Sequence, residues 1–350
     1  MPQASLQRSL VLFPGALGDF ICFFPALQTL SRCAQVDLLA QSAFADLVPP
    51  TVRVRSLERR EISRLFVPGG AQEERMRNFF GSYFSIYSWM GDGQKEFVRE
   101  LRSASRGRVR VFPFRPVWTR MHQADYYLSC LGEDSPEPRI PEIALKPEAV
   151  EWCENYWAQR SLKGKAVLAL APGSGAKEKN WPVALFQATA EWWRQRTAGE
   201  VIVVLGPVEE ERGGYGSLFE RAVVARKLSL AQLAALLAQS DLYLGNDSGV
   251  THLAAALGVR TIALFGPSDL QQWAPRGQNV AILAQKVECS PCTIPVIKDC
   301  PHRKCLTTLK PAEVIREMEK LTEIPTLTRG GVGITVKTKV PGVSTREDSC

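Results

Sequence analysis

The segment from Gly245 to His252, with the sequence Gly-Asn-Asp-Ser-Gly-Val-Thr-His, has the residue types of an anion-binding turn. It lies between two apolar segments, and a helix that starts within it directs unpaired backbone N–H groups and its positive dipole end at a ligand. Ser248 and Gly249 leave room for a phosphate, and we expect His252 to contact phosphate or substrate, with a structural histidine as the alternative. Asp247 would repel a phosphate, so we expect it to be the helix N-cap or an acceptor for sugar hydroxyls.

A second turn, from Ser174 to Pro182 (Ser-Gly-Ala-Lys-Glu-Lys-Asn-Trp-Pro), also combines small residues with a cation. It lacks the glycine and lysine spacing of a Walker A loop. The hydroxyl of Ser174, the exposed backbone of Gly175 and the ammonium group of Lys179 nevertheless suit a diphosphate that departs as a leaving group. The alternative is a solvated loop between a strand and a helix.

Two acidic residues follow other glycine turns. Asp19 comes directly after Gly15-Ala-Leu-Gly18 and either caps the helix that begins there or acts as a general base toward a sugar hydroxyl. Glu209 follows a Gly-Pro turn at the end of another apolar segment. An acid in that place can hold ribose hydroxyls, as in other nucleotide-binding folds.

Four cysteines are clustered late in the chain, at Cys289, Cys292, Cys300 and Cys305, with the spacing C-x2-C-x7-C-x4-C. Zinc could be held by all four thiolates, or by three of them and His302. The second and third spacings are irregular for a zinc finger, and basic residues lie within the cluster. Free thiols or a labile disulfide are therefore favoured over a metal, and the odd total of nine cysteines argues against a secreted disulfide framework.

These turns need strands to position them, and the pattern of an apolar strand, a glycine turn and a helix begins twice. We therefore predict an α/β chain of two Rossmann-like, doubly wound domains with parallel sheets, the second with four strands. Ligands bind at the carboxyl ends of such strands, where all of these turns lie. The predicted domains are residues 1–150 and 151–325, with a loose tail at 326–350. The predicted strands are 10–13, 36–40, 108–114, 166–171, 200–205, 241–244 and 261–265, and the main predicted helices are 94–106, 148–161, 181–196, 229–239, 248–257 and 311–322.

The composition is that of an ordinary globular protein, with 350 residues, 45% hydrophobic and 23% charged. It excludes general disorder, and no apolar run reaches the roughly 18 residues of a membrane span. The start lacks a signal peptide, so we expect a cytoplasmic location. The net charge of +7 fits an acidic ligand or an anionic surface, and arginines concentrate between Arg99 and Arg120. That segment is either a solvated face or a contact for an anionic acceptor or membrane surface.

Taken together, the motifs resemble glycosyltransferase family 9, the ADP-heptose:lipopolysaccharide heptosyltransferases. They occur in the family order within about residues 10–322. The Asn-Asp-Ser-Gly-x-x-His stretch is the most specific of them. The resemblance rests on Gly15–Asp19, Pro172–Gly175, Lys179–Pro182, Gly245–His252, Leu264–Asp269 and the cysteine cluster.

The resemblance implies a GT-B fold, in which two Rossmann-like domains face a central cleft, the first binding the acceptor and the second the nucleotide sugar. It implies inverting transfer of heptose from ADP-heptose to a hydroxyl of the lipopolysaccharide inner core, with no catalytic metal or other required cofactor. Asp19 would be the general base. The donor would be bound by Ser174, Gly175, Lys179, Glu209, Asp247, Ser248, Gly249 and His252.

The implied partners are the nucleotide-sugar donor and an anionic, lipid-linked glycan at the inner face of the plasma membrane, where peripheral association is left open. No nucleic-acid partner is expected. The alternative within the fold is a GT-B transferase that uses another nucleotide sugar or another surface glycan. A nicotinamide-dependent oxidoreductase is disfavoured because Gly15-x-x-Gly18 lacks the G-x-G-x-x-G spacing. A zinc-stabilised nucleic-acid-binding protein is disfavoured because the basic residues do not concentrate around the cysteines.

Overall fold

The computed structural model describes residues 7–116, 120–133 and 137–322, which form two parallel β-sheets with helices on both faces. The buried strands are nearly continuous apolar runs, as parallel sheets covered on both faces require. The strand Val167–Ala171, for example, is buried at every position. The predicted tail at 326–350 lies outside the described residues.

The first half contains five strands and six helices, together with short 3-10 turns, within the described residues. Its strands are β1 (Arg8–Leu12), β2 (Gln35–Ala40), β3 (Val52–Ser56), β4 (Ser85–Ser88) and β5 (Arg108–Val111). Its helices are α1 (Leu17–Cys33), α2 (Arg60–Ser63), α3 (Glu74–Phe80), α4 (Lys95–Ala104), α5 (Gln123–Ser129) and α6 (Pro147–Gln159).

The second half contains the second sheet, and a 3-10 turn at Lys177–Lys179 precedes its first helix. Its strands are β6 (Val167–Ala171), β7 (Glu200–Leu205), β8 (Val223–Arg226), β9 (Leu242–Asn246), β10 (Thr261–Phe265) and β11 (Val280–Ala284). Its helices are α7 (Val183–Thr197), α8 (Pro207–Arg212), α9 (Gly216–Phe219), α10 (Leu230–Gln239), α11 (Gly249–Ala256), α12 (Leu270–Trp273), α13 (Ile294–Asp299), α14 (Lys304–Thr307) and α15 (Pro311–Thr322).

The strand order in each sheet confirms the doubly wound prediction. The first sheet has the order β3-β2-β1-β4-β5 and the second the order β11-β10-β9-β6-β7-β8. In both, the order reverses beside the first strand of that half, so crevices form at the carboxyl ends of β1 and β4 and of β6 and β9. These are the two places where the topology favours ligands.

One apolar layer joins the two halves. Phe23 of α1 and Tyr127 of α5 belong to the same buried cluster as Leu236 of α10 and Leu253 of α11. Trp157 of α6 belongs to it as well, and α6 is continuous through the predicted domain boundary at residue 150. The helices that begin at the two crevices are therefore packed against each other.

The prediction of four strands in the second half was wrong, since the sheet has six, and β3 and β4 were also missed in the first half. Three of the missed strands, β3, β8 and β11, lie at sheet edges. An edge strand is partly exposed and does not need a continuous apolar sequence, so it lacks the signal that marks a central strand. The predicted strand at 108–114 also ends earlier, at Val111. Within the described residues, no helix combines the length and the apolarity that a membrane span needs.

Candidate active site at the seam between the two sheets

The crevice of the second sheet lies between the loops that follow β6 and β9, and Asn246 ties those loops together. Its side chain is fully buried at the end of β9. The amide Nδ2 donates to the Pro172 carbonyl oxygen at 2.7 Å, and Oδ1 accepts from the Trp181 backbone N–H at 2.8 Å. Asn246 therefore fixes the turn before Lys179 relative to the start of α11.

Lys179 and Asp247 face each other across this crevice. The Lys179 Nζ atom donates to Asp247 Oδ2 at 2.7 Å, and Ser268 Oγ donates to the same oxygen at 2.5 Å. The Asp247 side chain is 8% exposed, whereas that of Lys179 is 30% exposed. The Asp247 carboxylate is therefore buried, whereas the Lys179 ammonium group is partly exposed and can contact a ligand.

Helix α11 begins at this crevice, and its N-cap is Ser248. The Ser248 hydroxyl accepts a hydrogen bond from the Thr251 N–H, so the structure corrects the expectation that Asp247 caps this helix. Asp247 is instead engaged by Lys179 and Ser268, because a carboxylate so deeply buried needs a cation and a donor. Gly249 is the first helical residue, and its end of the helix carries the positive side of the dipole.

The Ser174-Gly175 turn is held by hydrogen bonds to Asn180 and to Arg212 of α8. Ser174 Oγ lies 2.7 Å from Asn180 Oδ1, and the Arg212 guanidinium donates to the carbonyl oxygens of Ser174 and Gly175 at 2.9 Å each. Ser174 is buried and its Oγ also donates to the Ala176 carbonyl oxygen at 2.7 Å, so a phosphate contact by this hydroxyl stays a prediction. Both residues are close to the crevice, as predicted from their place after β6.

Glu209 lies in the first turn of α8, beside the same turn. Its Oε2 atom accepts from the Gly206 N–H at 2.9 Å, a local contact of the helix N-terminus. A Cβ atom on Gly173 would lie 2.1 Å from Glu209 Oε1, so the glycine allows the carboxylate to approach the turn after β6. Glu209 is half-buried and lies at the crevice, where ribose binding stays a prediction.

Asp19 occupies the first turn of α1, at the carboxyl end of β1 in the first sheet. Its Oδ1 atom accepts from the Arg115 guanidinium at 3.0 Å, and Oδ2 accepts from the Ala16 N–H at 3.3 Å. The Asp19 side chain is 10% exposed and that of Arg115 is 49% exposed. The guanidinium also stacks on the Trp273 ring of the second half, 4.8 Å from its centroid.

The two halves meet where the N-terminal ends of α1 and α11 come together at Gly18 and Gly249, and we call the contact region around these two glycines the seam. A Cβ atom on Gly249 would lie 2.9 Å from the Gly18 backbone nitrogen, so only glycine permits this approach. The buried His252 ring lies against Gly18, with its Nδ1 atom 3.9 Å from Cys22 Sγ. Burial lowers the pKa of His252, so the ring is neutral near pH 7, and burial raises the pKa of the Cys22 thiol.

His252 marks the meeting point of the charged groups. Burial is the largest influence and lowers the pKa of its ring; Asp247 and Asp19 oppose this effect, and Lys179 adds to it. The structure therefore brings together the groups predicted for base and phosphate chemistry from both halves. In this closed arrangement His252 itself packs between α1 and α11, and a phosphate contact by its ring stays a prediction.

A segment of the first half, residues 120–125, is hydrogen-bonded to the second half beside the seam. Arg276 donates to both carboxylate oxygens of Asp125, at 2.7 and 2.5 Å, and Arg120 pairs with Asp269 at 2.8 Å. The His122 Nε2–H donates to the Ala274 carbonyl oxygen at 2.8 Å. These bonds join the segment around α5 to the segment around α12.

The four clustered thiols line one small cavity of about 10 Å³ beside Pro267, and none of them is in a disulfide. Burial raises the pKa of Cys305 to about 11. Across residues 7–116, 120–133 and 137–322, no group of three or more His, Cys, Asp or Glu side chains is arranged to hold a metal ion. The Cys292 N–H donates to the Pro267 carbonyl oxygen at 2.8 Å, so this segment braces the loop that carries Ser268.

Several residues of the seam were not singled out as site residues from the sequence: Asn246, Ser268, Arg212 and Trp273. Asn246 and Ser268 lie within motifs used for the prediction, and the available signal is their position near the end of an apolar strand. Arg115 was noted only as part of the arginine-rich segment, where no local pattern separates it from Arg108 and Arg110. Those two residues are exposed on the edge strand β5.

The sequence is similar to proteins of one family. The model of glycosyltransferase family 9 (heptosyltransferase) matches residues 116–298. Lipooligosaccharide heptosyltransferase 2 of Campylobacter jejuni, serotype O:6, is 32% identical over 170 residues, which are 45% of this chain and 52% of that protein. The chain spans about half the length of the curated relatives that it matches first.

Solved structures share the fold over most of the chain. A family 9 glycosyl transferase from Veillonella parvula has a TM-score of 0.72 at 22% identity, covering 92% of this chain and 98% of that one. The E. coli ADP-heptose lps heptosyltransferase II has a TM-score of 0.64 at 17% identity, covering 90% and 98%. These likenesses confirm the predicted architecture of two Rossmann-like domains.

Proposed function

The chain belongs to glycosyltransferase family 9, and we propose that it transfers a heptose from ADP-heptose to a hydroxyl of the lipopolysaccharide inner core, with inversion and without a catalytic metal. The observation that carries the proposal is the seam, where the N-terminal end of α1, which holds Asp19, meets the N-terminal end of α11 next to the Lys179–Asp247 pair. The names of the relatives supply the heptosyl and lipopolysaccharide chemistry. The geometry supports the proposal with a carboxylate on one side and, on the other, a lysine and a helix N-terminus of the kind that binds anions.

The second half would bind the donor. Its crevice offers Lys179 and the first N–H groups of α11 to a diphosphate, and the helix dipole strengthens both contacts. As the bond to the sugar breaks, negative charge grows on the departing ADP, and these preorganised donors stabilise it without a divalent ion. Ser174, Gly175, Ser248, Gly249 and His252 would surround the phosphates, and Glu209 would hold the ribose.

The first half would bind the acceptor and supply the base. Asp19 would accept the proton of the acceptor hydroxyl, whose oxygen attacks the anomeric carbon from the side opposite ADP. The bond between that carbon and the phosphate oxygen breaks, ADP leaves with the electron pair, and the configuration inverts.

The acceptor would be an anionic, lipid-linked glycan reached from the cytoplasmic side, with peripheral contact at the inner face of the plasma membrane. The exposed Arg108 and Arg110 on β5 support an anionic partner for the first half. Charge reversal at these two positions should raise the KM for the acceptor more than the KM for the donor. Equal effects on the two constants would count against this contact.

The donor assignment is tested by calorimetry of the whole chain with ADP, UDP, GDP and CDP, each in excess EDTA. The expected result is micromolar binding of ADP that survives EDTA and exceeds the binding of the other nucleotides. Preference for UDP or GDP would support the alternative, a GT-B transferase with another sugar nucleotide. A requirement for a divalent cation would contradict the metal-independent site.

A further inference from the structure

The strongest unexplained contact of the seam is a chain of three side chains that runs from the second half to Asp19. Trp273, at the end of α12, stacks on the Arg115 guanidinium with 4.8 Å between the Arg115 Cζ atom and the ring centroid. Arg115 in turn donates to Asp19 Oδ1 at 3.0 Å. These two contacts join the Trp273 ring of the second half to the Asp19 carboxylate of the first half.

We infer that Arg115 and Trp273 are positioning residues for Asp19, so that the base is correctly oriented only when the two halves are closed. The inference rests on the proposed function and concerns the assembly of the same site. It assigns to Trp273 an effect on the reaction although its ring contacts Arg115 rather than the carboxylate itself.

The charges of the seam single out Arg115. Arg276 forms an ion pair with Asp125 through two hydrogen bonds, and Arg120 forms an ion pair with Asp269. Among the described residues, Arg115 is the arginine whose ion pair is with the predicted base. A guanidinium is planar and carries five N–H donors, so its stacking on a ring fixes the direction of the donors at its edge.

The Asp19 carboxylate has one hydrogen-bond donor within its own turn and one from a distant segment of the chain. The Ala16 N–H, which holds Oδ2 at 3.3 Å, belongs to the same turn as Asp19 and moves with it. Arg115 holds Oδ1 from a segment that follows β5, and the Phe114 ring lies on the same guanidinium at 5.4 Å. Phe114 belongs to the first half, so Trp273 is the contact through which the second half acts on Arg115.

Displacement of a catalytic group by about 1 Å can lower a rate by two orders of magnitude. Opening of the seam removes Trp273 from Arg115 and leaves the guanidinium with Phe114 and Asp19 alone. The base would then lose its fixed orientation before the donor leaves. Such coupling would restrict proton abstraction to the closed enzyme and would reduce reaction of the donor with water.

The test compares kcat and KM of four variants of the full chain: Trp273→Phe, Trp273→Leu, Arg115→Lys and Arg115→Ala. We expect Arg115→Ala to lower kcat about 100-fold and Trp273→Leu about 10-fold, with the KM for the donor and the affinity for ADP within twofold of wild type. Trp273→Phe, which keeps a ring, should recover most of the rate lost in Trp273→Leu. Arg115→Lys keeps the charge but lacks the planar fork, so it should recover little.

The double variant Arg115→Ala/Trp273→Leu separates positioning from independent roles. If Trp273 acts through Arg115, the double variant has the kcat of Arg115→Ala alone, whereas a product of the two single effects would overturn the inference. Arg120→Gln is the matched control, because it breaks another ion pair between the same segments without touching Asp19. A loss of kcat in that control equal to the loss in Trp273→Leu would also overturn it.

A rise in the KM for the acceptor with unchanged kcat in Arg115→Ala would contradict the inference and assign Arg115 to acceptor binding. Absence of heptosyl transfer by the wild-type chain would instead contradict the proposed function. The two failures are therefore distinguishable in the same set of assays.

Discussion

Replacement of Lys179 by alanine should weaken ADP binding strongly. The Nζ atom makes a 2.7 Å contact with Asp247, whose side chain is 8% exposed, so the truncation removes a cation from the crevice and leaves a buried carboxylate held by Ser268. A hydrogen bond that involves a charged group contributes about 1.5–3 kcal/mol, which corresponds to about 10- to 150-fold in affinity. The carboxylate of Asp247, left without its cation, would add repulsion, so we expect the upper part of that range.

The assay is titration calorimetry with ADP in EDTA, and Lys177→Ala is the matched control. Lys177 lies in the same 3-10 turn, its side chain is exposed, and its contact with Arg303 uses the backbone carbonyl oxygen, which the substitution keeps. Thermal unfolding of both variants checks that the fold is intact. Affinity within twofold of wild type for Lys179→Ala, or an equal loss for Lys177→Ala, would refute the assignment.

The double variant Lys179→Ala/Asp247→Asn shows how Lys179 acts. Removal of the Asp247 charge should recover part of the lost affinity, because the repulsion of the phosphate disappears. The direct contact between the ammonium group and the phosphate should stay lost. Complete recovery would mean that Lys179 only neutralises Asp247, and no recovery would mean that the buried carboxylate does not oppose the ligand.

Three further predictions concern the seam. Gly249→Ala should destabilise the chain by about 1–3 kcal/mol, because its Cβ atom would lie 2.9 Å from the Gly18 nitrogen; Gly175→Ala, whose Cβ atom meets no atom within 4 Å, is the control, and equal melting temperatures would contradict the contact. Asp125→Asn should lower the melting temperature, because the Arg276 side chain is 13% exposed and loses an anionic partner; an unchanged melting temperature would show that this ion pair contributes little. Burial, assisted by Arg276, lowers the pKa of His122 from 6.5 to about 4, so its contribution to stability is present above about pH 6.5 and is lost as the pH falls toward 4. Denaturant unfolding at several pH values should show a steeper loss in wild type than in His122→Asn, by at most about 1.4 kcal/mol per pH unit, and parallel curves would contradict the buried neutral ring.

The sequence contained enough information for the central strands other than β4 and for the turns that follow them. Residues such as Val167–Ala171 must be apolar because helices cover both faces, so a buried parallel strand is visible as a run of letters. The turns after β6 and β9 were identifiable because glycine, serine and a cation follow directly on such runs. The doubly wound topology then places them at one crevice.

The sequence contained much less information on contacts across the seam. Arg115 and Asp19 are 96 positions apart, and Lys179 and Asp247 are 68 apart. Pairings of this kind depend on how the two sheets meet, which local periodicity does not encode. For the same reason, the sequence left Asp247 as either a helix cap or an acceptor for sugar hydroxyls, whereas tertiary packing gives its carboxylate to Lys179 and leaves the cap to Ser248.

The most direct test of the proposed function is acceptor-dependent heptosyl transfer by the wild-type chain and by Asp19→Asn, with ADP-heptose, a purified inner-core acceptor and EDTA. We predict that wild type extends the acceptor by one heptosyl residue, that NMR shows the inverted anomeric configuration, and that Asp19→Asn loses at least about 100-fold in kcat while still binding ADP. Retention of the donor configuration, or turnover by Asp19→Asn at the wild-type rate, would contradict it.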